Sequence, residues 1–309
     1  SYRINYELDK EEISKMLKSM YSGISGMKSN QTKMDVVGNN VANASTTAFK
    51  KSSVRFSDTL NQTVIYASQP GNSLGGVNPG QVGAGVKVSS ISKNMLQGSL
   101  QQTGIASDIA IDGDGFFVVQ IGQKGNGTPS EGFTRDGSFT VDSEGKMVTA
   151  TGYYVLTTNN EPVFIPEEAM NPDGTKMRVV SYNISKEGEI SYVLEDGSKV
   201  MGSDKPGDAP QQTLKIATFM NQSGLEANGN NIYLDSANSG LPTYNASSNK
   251  EDKVGAKIGL ITQGALEMSN VDLSEEFTDM IVTTRSFQAA SKVITTSDEL
   301  LQEIINLKR

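Results

Sequence analysis

Both ends of the chain carry apolar residues at alternating spacings of four and three, the pattern of a helix that buries one face. The N-terminal seam contains Met20, Ile24, Met27, Met34 and Val41. The C-terminal seam contains Leu273, Phe277, Met280, Phe287, Ile294, Leu301 and Ile305, and a neighbouring stripe that includes Val293 and Leu300 widens it. We predict an N-terminal helix from Met20 that ends near residues 43–47, and a C-terminal helix of about 35 residues with Asn270 or Ser274 as its N-cap. Helices of this length on one register are typical of coiled coils and bundles, so each seam needs a partner.

The charges of the two ends are complementary. Residues 16–60 contain six basic and two acidic side chains, a net charge of +4. Residues 271–309 contain four basic and seven acidic side chains, a net charge of −3. Two helices with apolar seams and opposite net charge are expected to pair, either within the chain or between copies of it.

The region between the seams alternates short runs rich in β-branched and aromatic residues with turn sequences such as Glu195-Asp196-Gly197. This pattern favours an antiparallel barrel or sandwich. The predicted fold class is therefore α+β, with coiled-coil-like terminal helices and a central antiparallel β-rich domain. Residues 67–85 are rich in Gly and Pro and predict an extended or flexible connector. The candidate connector glycines are Gly75, Gly76, Gly80, Gly83 and Gly85.

Composition excludes several functional classes. The 309 residues include no His and no Cys, so imidazole and thiolate catalysis and most transition-metal sites are excluded. The net charge of −8 disfavours a general nucleic-acid binder. The sequence contains no apolar run of membrane-spanning length, and residues 1–15 are too polar for a secretory signal. We expect no membrane insertion, no cofactor and no metal.

Two short motifs invite a chemical interpretation. Asp112 and Asp114 flank Gly113 as in a calcium loop, but position twelve of that loop is Gln123 where a bidentate Glu is required. A turn between two strands is the simpler interpretation. Arg135 and Asp136, followed by Gly137, predict a hairpin turn rather than a catalytic pair. The sequence therefore predicts a protein that is not an enzyme.

Several segments resemble the bacterial flagellar hook protein and, in general plan, the related axial proteins of the rod. They are residues 16–27 (MLKSMYSGISGM), 34–43 (MDVVGNNVAN), 46–53 (TTAFKKSS), 78–86 (NPGQVGAGV), 107–117 (SDIAIDGDGFF), 133–139 (FTRDGSF), 264–273 (GALEMSNVDL) and 280–309. The opening segment, residues 49–58 and the ending at 304–309 are more similar to hook than to rod. Two departures are Ser1 to Lys15, which precede the expected start and are an upstream start or added residues, and Ala48, where many relatives carry Gly.

The resemblance implies a structural subunit of the flagellar hook. Such a subunit is exported unprocessed through the flagellar type III apparatus, without a cleaved signal, and assembles outside the cell. Copies form a curved tube that transmits torque from rod to filament as a universal joint. The implied partners are the chain itself, the rod, hook-cap and hook–filament junction proteins, and the export apparatus.

The resemblance also assigns the domains. Residues 16–45 and 273–309 would form the inner helical domain, residues 46–88 and 262–272 the connector, and residues 89–261 the outer β-rich domain. Two alternatives stay open. One is the distal rod protein of the basal body. The other is a β-domain ligand-binding module dimerised by its helices, which the absence of Trp and the scattered Tyr and Phe disfavour.

Overall fold

The structure is a computed structural model that describes residues 2–71, 75–123, 129–170, 176–201, 211–245 and 258–307. The chain forms two compact units. Unit 1 contains Ser1–Ala42, Ser52–Asn94 and Asp272–Arg309, and unit 2 contains Asn43–Lys51 and Met95–Val271. These boundaries differ from the expected domains, because most of the expected connector belongs to unit 1 while residues 43–51 and 262–271 belong to unit 2. The fold class is α+β, with a helix at each end and a β-rich central region.

Unit 1 consists of two long helices and two antiparallel ribbons. Its elements are α1 (Tyr2–Ala42), β1 (Ser52–Asp58), β2 (Asn61–Ile65), β3 (Gly80–Gly83), β4 (Val86–Lys93) and α2 (Leu273–Leu307). β1 pairs with β4, and β2 pairs with β3. Both terminal helices are confirmed, but α1 begins well before the expected Met16. The Gly- and Pro-rich segment 67–85 is also partly ordered into strand, since it contains β3.

The start of α2 is capped by Asp272, which the sequence analysis did not select. Its Oδ1 accepts hydrogen bonds from the backbone N–H of Ser274 at 2.8 Å and of Glu275 at 3.4 Å. An Asp at this position satisfies helix donors that have no intrahelical partner and complements the helix dipole. Neither of the two predicted caps is the N-cap. Ser274 lies inside α2, and the Asn270 side chain instead binds the backbone of Lys51 within unit 2.

Unit 2 contains the remaining described strands, and all of their pairings are antiparallel. They are β5 (Leu100–Gln102), β6 (Ile109–Asp112), β7 (Phe116–Gln123), β8 (Pro129–Thr134), β9 (Phe139–Val141), β10 (Met147–Thr149), β11 (Tyr154–Val155), β12 (Glu168–Met170), β13 (Lys176–Ile184), β14 (Ile190–Leu194), β15 (Lys199–Met201), β16 (Ile216–Thr218), β17 (Glu226–Gly229), β18 (Ile232–Leu234), β19 (Thr243–Tyr244), β20 (Leu260–Gln263) and β21 (Ala265–Glu267).

The main sheet of unit 2 has nine described strands. Its path runs β17-β18-β8-β7-β11-β10-β9, with β16 paired to both β7 and β19. A second sheet has the order β12-β13-β14-β15, and two further pairs are β20-β6 and β21-β5. Short strands with Gly-containing turns between them agree with the predicted β-rich region.

The core of unit 2 lies on both faces of β7. Phe116 and Phe117 are both fully buried, yet they belong to different apolar clusters because successive side chains of a strand point to opposite faces. Phe117 packs edge-on against Phe139 with ring centroids 5.3 Å apart, and Phe116 contacts Phe219 at 6.0 Å. Apolar residues on both faces therefore hold the sheet, which explains the near-continuous apolar run in β7.

No helix in the described part of the chain contains an apolar stretch long and uncharged enough to cross a membrane.

Candidate assembly interface

The two helices of unit 1 meet through small side chains. Ser19 Oγ lies 3.3 Å from Ser297 Oγ. A Cβ atom added at Gly23 would lie 3.0 Å from Ile294 Cγ1, and one added at Gly26 would lie 3.6 Å from the Cβ of Ala290. Glycine at these positions lets the two backbones approach closely. The small residues of α1 therefore allow close approach of the two helices, with the Ile294 side chain packed against Gly23.

Polar contacts complete the helix pair toward the C-terminal end of α1. Asn40 is almost fully buried, and its Nδ2 donates to Glu276 Oε2 at 3.1 Å. Asn40 also exchanges hydrogen bonds with the backbone of Ser52, so one amide group joins α1, α2 and β1. About two turns before Asn40 on α1 and one turn after Glu276 on α2, Lys33 Nζ lies 3.0 Å from Asp279 Oδ2. This partly exposed ion pair is worth less than about 1 kcal/mol.

The predicted seam of α1 is displaced by one residue from the face that meets α2. The contact positions on α1 are 19, 23, 26, 33 and 40, each one residue before a predicted position. One residue rotates a helix position by about 100°. The predicted seam therefore lies on a flank of α1, where Ile24 is 46% exposed and the other four predicted residues are half-buried.

The predicted seam of α2 is only partly used by α1. Met280, Phe287, Ile294 and Leu301 are half-buried. Leu273, Phe277 and Ile305 are 44–64% exposed. Further exposed apolar residues lie at Tyr21 on α1 and at Ile281, Val282, Val293 and Leu300 on α2. Of these, sequence reasoning missed Tyr21, Ile281 and Val282, because they lie outside the predicted seams and the neighbouring stripe.

The ribbon formed by β1 and β4 lies against a serine-rich flank of α1. Ser25 Oγ accepts a hydrogen bond from the Val86 N–H at 3.3 Å, and Ser29 Oγ donates to Val86 O at 3.4 Å. Gly85 has φ +119°, and a Cβ atom there would overlap the Ser25 hydroxyl. Only glycine fits this position, for both conformational and steric reasons.

The other candidate connector glycines have different surroundings. Gly80 and Gly83 lie in β3, and Gly76 lies close to Ser68 and Pro70. Gly75 has no described atom within 4 Å of a Cβ position, so it packs against nothing in the described part of the chain. The predicted group thus divides into two strand residues, two tightly packed residues and one open one.

Unit 2 contains a buried ion cluster of Lys50, Arg135 and Glu267, whose side chains are at most 1% exposed. Lys50 Nζ lies 2.6 Å from Glu267 Oε1, and Arg135 Nη1 lies 3.2 Å from Glu267 Oε2. Glu267 also accepts a hydrogen bond from the Gly98 N–H at 2.8 Å. Arg135 Nη2 donates to Gly113 O at 2.8 Å, and its guanidinium carbon lies 5.4 Å from the centre of the Phe116 ring.

The buried ion cluster contains two cations and one carboxylate, a net charge of +1. Burial lowers the pKa of Lys50, and Glu267 opposes that shift as its nearest anion. Arg135 Nε is buried without a hydrogen-bond partner in the described part of the chain. Burial, together with the charge on Glu267, raises the pKa of the neighbouring Tyr233 to about 12. Because the cluster is sealed from solvent, it serves structure rather than catalysis.

The two motifs singled out in the sequence have structural roles. Asp112 to Gly115 forms the turn between β6 and β7, as expected, and the described residues include no cluster of acidic side chains suited to a metal ion. The expected hairpin at Arg135 is wrong. β8 and β9 are not paired with each other, and Arg135 lies between them with its side chain in the buried ion cluster.

Three family profiles match the chain. They are the "Flagella basal body rod protein" family at residues 20–50, the "Flagellar hook protein FlgE/F/G D1 domain" at 110–192 and the "Flagellar basal body rod FlgEFG protein C-terminal" family at 262–307.

Curated relatives match over nearly the full chain. The flagellar basal-body rod protein FlgG of Bacillus subtilis is 44% identical over 294 residues, covering 95% of this chain and 100% of the relative. FlgG of Borreliella burgdorferi is 35% identical with the same coverage. The flagellar hook protein FlgE of Treponema pallidum is 27% identical over 478 residues, again with 95% and 100% coverage. The chain belongs to the flagellar rod/hook axial protein family, whose members are structural proteins of the flagellum and not enzymes.

Proposed function

We propose that the protein is a rod subunit of the flagellar basal body that assembles with copies of itself through the flanks of its terminal helices. The observation that carries this proposal is the row of apolar side chains that α1 and α2 leave exposed after pairing with each other. Phe277, Ile281 and Leu300 are each at least half exposed on α2. Apolar surface of this extent on a helix pair is typical of a protein–protein contact surface.

The distribution of these residues favours an open assembly over a closed dimer. Phe277 and Ile281 lie on one flank of α2, whereas Val282, Val293 and Leu300 lie on the opposite flank. Two different flanks on one helix accept two different neighbours. Contacts between unlike surfaces generate rings or helical arrays, while a two-fold dimer uses one surface twice. A tubular polymer of this chain is consistent with that arrangement.

The lengths of the alignments support a rod subunit rather than a hook subunit. The terminal motifs of the sequence had instead favoured the hook. Alignment with FlgG relatives spans 294 and 296 residues, close to the 309 of this chain. Alignment with the FlgE hook relatives of two organisms spans 478 and 453 residues, so those proteins contain long additional segments. The hook remains the second candidate because of the hook-like opening and ending of the chain.

Within such an assembly, we propose the arrangement that the family resemblance implies. The terminal helices would form the coiled-coil-like inner domain, and the central region would form the outer domain of barrel or sandwich type. The partners would be other copies of the chain, neighbouring axial proteins and the flagellar export apparatus. The subunit would be exported from the cell without cleavage of a signal. The glycines of the connector, Gly75 above all, would provide freedom between neighbouring subunits.

The test is polymer formation by variants of the exposed flanks. Phe277→Asp and Val293→Asp each place a charge where a neighbour is proposed to pack, which costs several kcal/mol per contact. We expect unit 2 to stay folded in both variants and neither variant to form tubes in electron microscopy of concentrated protein.

The matched controls are Thr278→Asp and Thr296→Asp, which add the same charge at exposed polar positions of α2 between the two proposed flanks. These controls are expected to assemble. Normal tubes formed by both Phe277→Asp and Val293→Asp would overturn the proposed assembly surface.

A further inference from the structure

Residues 43–51, here called the strap, are held inside unit 2 by backbone contacts. The Ala48 N–H donates to Glu267 O at 2.8 Å, and Asn231 Nδ2 donates to Thr47 O at 2.9 Å. Ala48 is 1% exposed and has φ +55°, a left-handed conformation that costs a non-glycine residue about 1 kcal/mol. The surrounding contacts must offset that cost, so the strap is bound in one specific conformation.

The end of the strap is anchored by charge. Lys50 at 1% exposure donates to Glu267 Oε1 and to Leu96 O at 2.8 Å. The backbone of Lys51 donates to Asn270 Oδ1 at 2.8 Å. Three segments that are far apart in the sequence, around residues 50, 96 and 270, are thereby joined in one hydrogen-bonded group.

These three segments are the places where the chain leaves unit 2. The chain passes between the units after residues 42, 51, 94 and 271. Lys51, Leu96 and Asn270 lie within two residues of the passages after residues 51, 94 and 271, respectively. Leu96 O accepts hydrogen bonds from both Lys50 Nζ and Asn270 Nδ2. The contacts around the buried ion cluster therefore fix the spacing at which three passages emerge from unit 2.

The charge balance of the cluster makes Glu267 the decisive residue. With Glu267 ionised, one carboxylate offsets two buried cations and also binds the Gly98 N–H. Without that charge, the two buried cations Lys50 and Arg135 lose their ion-pair partner, and only the weaker electrostatic effect of Asp114 on Lys50 remains, which is strongly unfavourable for buried charges. Lys50 lies on the strap next to a chain passage, whereas Arg135 lies between strands of the main sheet, so movement of Lys50 requires less of unit 2 to rearrange.

We propose that the buried ion cluster is a charge-dependent clamp on the strap. The charge on Glu267 locks residues 43–51 into unit 2, and loss of that charge releases the strap while the main sheet stays folded. This inference does not depend on the flagellar role, because it concerns contacts within unit 2 alone.

The experiment is limited trypsin digestion of the full chain, since the strap ends in the potential cleavage sites Lys50 and Lys51. In Glu267→Gln, which removes the charge and keeps the shape, cleavage at these sites is expected to accelerate on the order of a hundredfold. Amide exchange in β7 is expected to keep its wild-type protection. Loss of protection in β7 together with the strap would overturn local release.

The matched control is Glu131→Gln, which removes the carboxylate that lies 2.6 Å from Lys215 Nζ elsewhere in unit 2. This variant is expected to leave cleavage at Lys50 and Lys51 at the wild-type rate. Equal acceleration in Glu131→Gln and Glu267→Gln would contradict the clamp.

A second variant, Lys50→Met, separates charge balance from simple anchoring. It leaves Arg135 and Glu267 as a balanced pair, so exchange of the Ala48 amide is expected to stay within a few-fold of wild type. If Lys50→Met exposes that amide as strongly as Glu267→Gln does, Lys50 is an ordinary anchor and the proposed role of charge is wrong.

Discussion

The two units of the protein place their apolar side chains in opposite ways. In unit 2, Phe116, Phe117 and many other apolar residues are fully buried on the faces of the main sheet. In the described part of unit 1, Val37 is the only fully buried apolar side chain. Phe277 and Ile281 of the same unit are 50% and 63% exposed. Burial of apolar surface is the dominant favourable term in folding. We therefore expect unit 2 to be stable by itself, whereas the proposed assembly surface implies that unit 1 gains much of its stability when a partner covers its helices.

The largest expected effect comes from equivalent truncations in the two units. Phe117→Ala removes a fully buried ring from the main core and is expected to lower the free energy of unfolding of unit 2 by about 3–5 kcal/mol. Phe277→Ala in unit 1 is expected to change the stability of the dilute monomer by less than about 0.5 kcal/mol. Denaturant unfolding monitored by tyrosine fluorescence and circular dichroism checks both values. Comparable losses in the two variants would remove the contrast between the units.

A smaller effect tests how the two helices of unit 1 meet. Gly23→Val inserts side-chain atoms where a Cβ alone would lie 3.0 Å from Ile294, and we expect it to destabilise the helix pair by about 1–3 kcal/mol. Gly38→Ala is the matched control, because a Cβ there meets no described atom within 4 Å. This control is expected to stabilise α1 by about 0.5–1 kcal/mol through helix propensity.

Thermal loss of the helical circular dichroism signal measures both glycine variants. The midpoint is expected to fall for Gly23→Val and to rise for Gly38→Ala. A fall of the same size in both would show that the backbone approach at Gly23 has no special role.

The sequence was sufficient to predict the terminal helices and the antiparallel β-rich region, because both follow from local periodicity and turn chemistry. It was not sufficient to predict which face of α1 meets α2. That face contains Ser19, Gly23 and Gly26, and small residues give no signal in an analysis of apolar spacing. The apolar seam that was predicted instead lies one residue further along, on the flank proposed here to bind other copies.

The buried ion cluster was beyond prediction for a different reason. Lys50, Arg135 and Glu267 are separated by 85 and 132 positions, and a single sequence contains no information on which distant charges are paired. Arg135 was interpreted as part of a turn because Arg-Asp-Gly between two strands fits turn chemistry. The polarity of Lys50 and Glu267 likewise favoured exposure, whereas tertiary packing buries both.

The central claim is that the helices of unit 1 depend on other copies for their stability and that unit 2 does not. Hydrogen exchange, measured on a demonstrated monomer and on assembled protein, tests it most directly. We expect weak protection across 20–41 and 277–305 in the monomer, strong protection of β7 and β14 in both samples, and a large gain in the helices on assembly. Strong protection of both helices in the monomer, unchanged by assembly, would contradict the account.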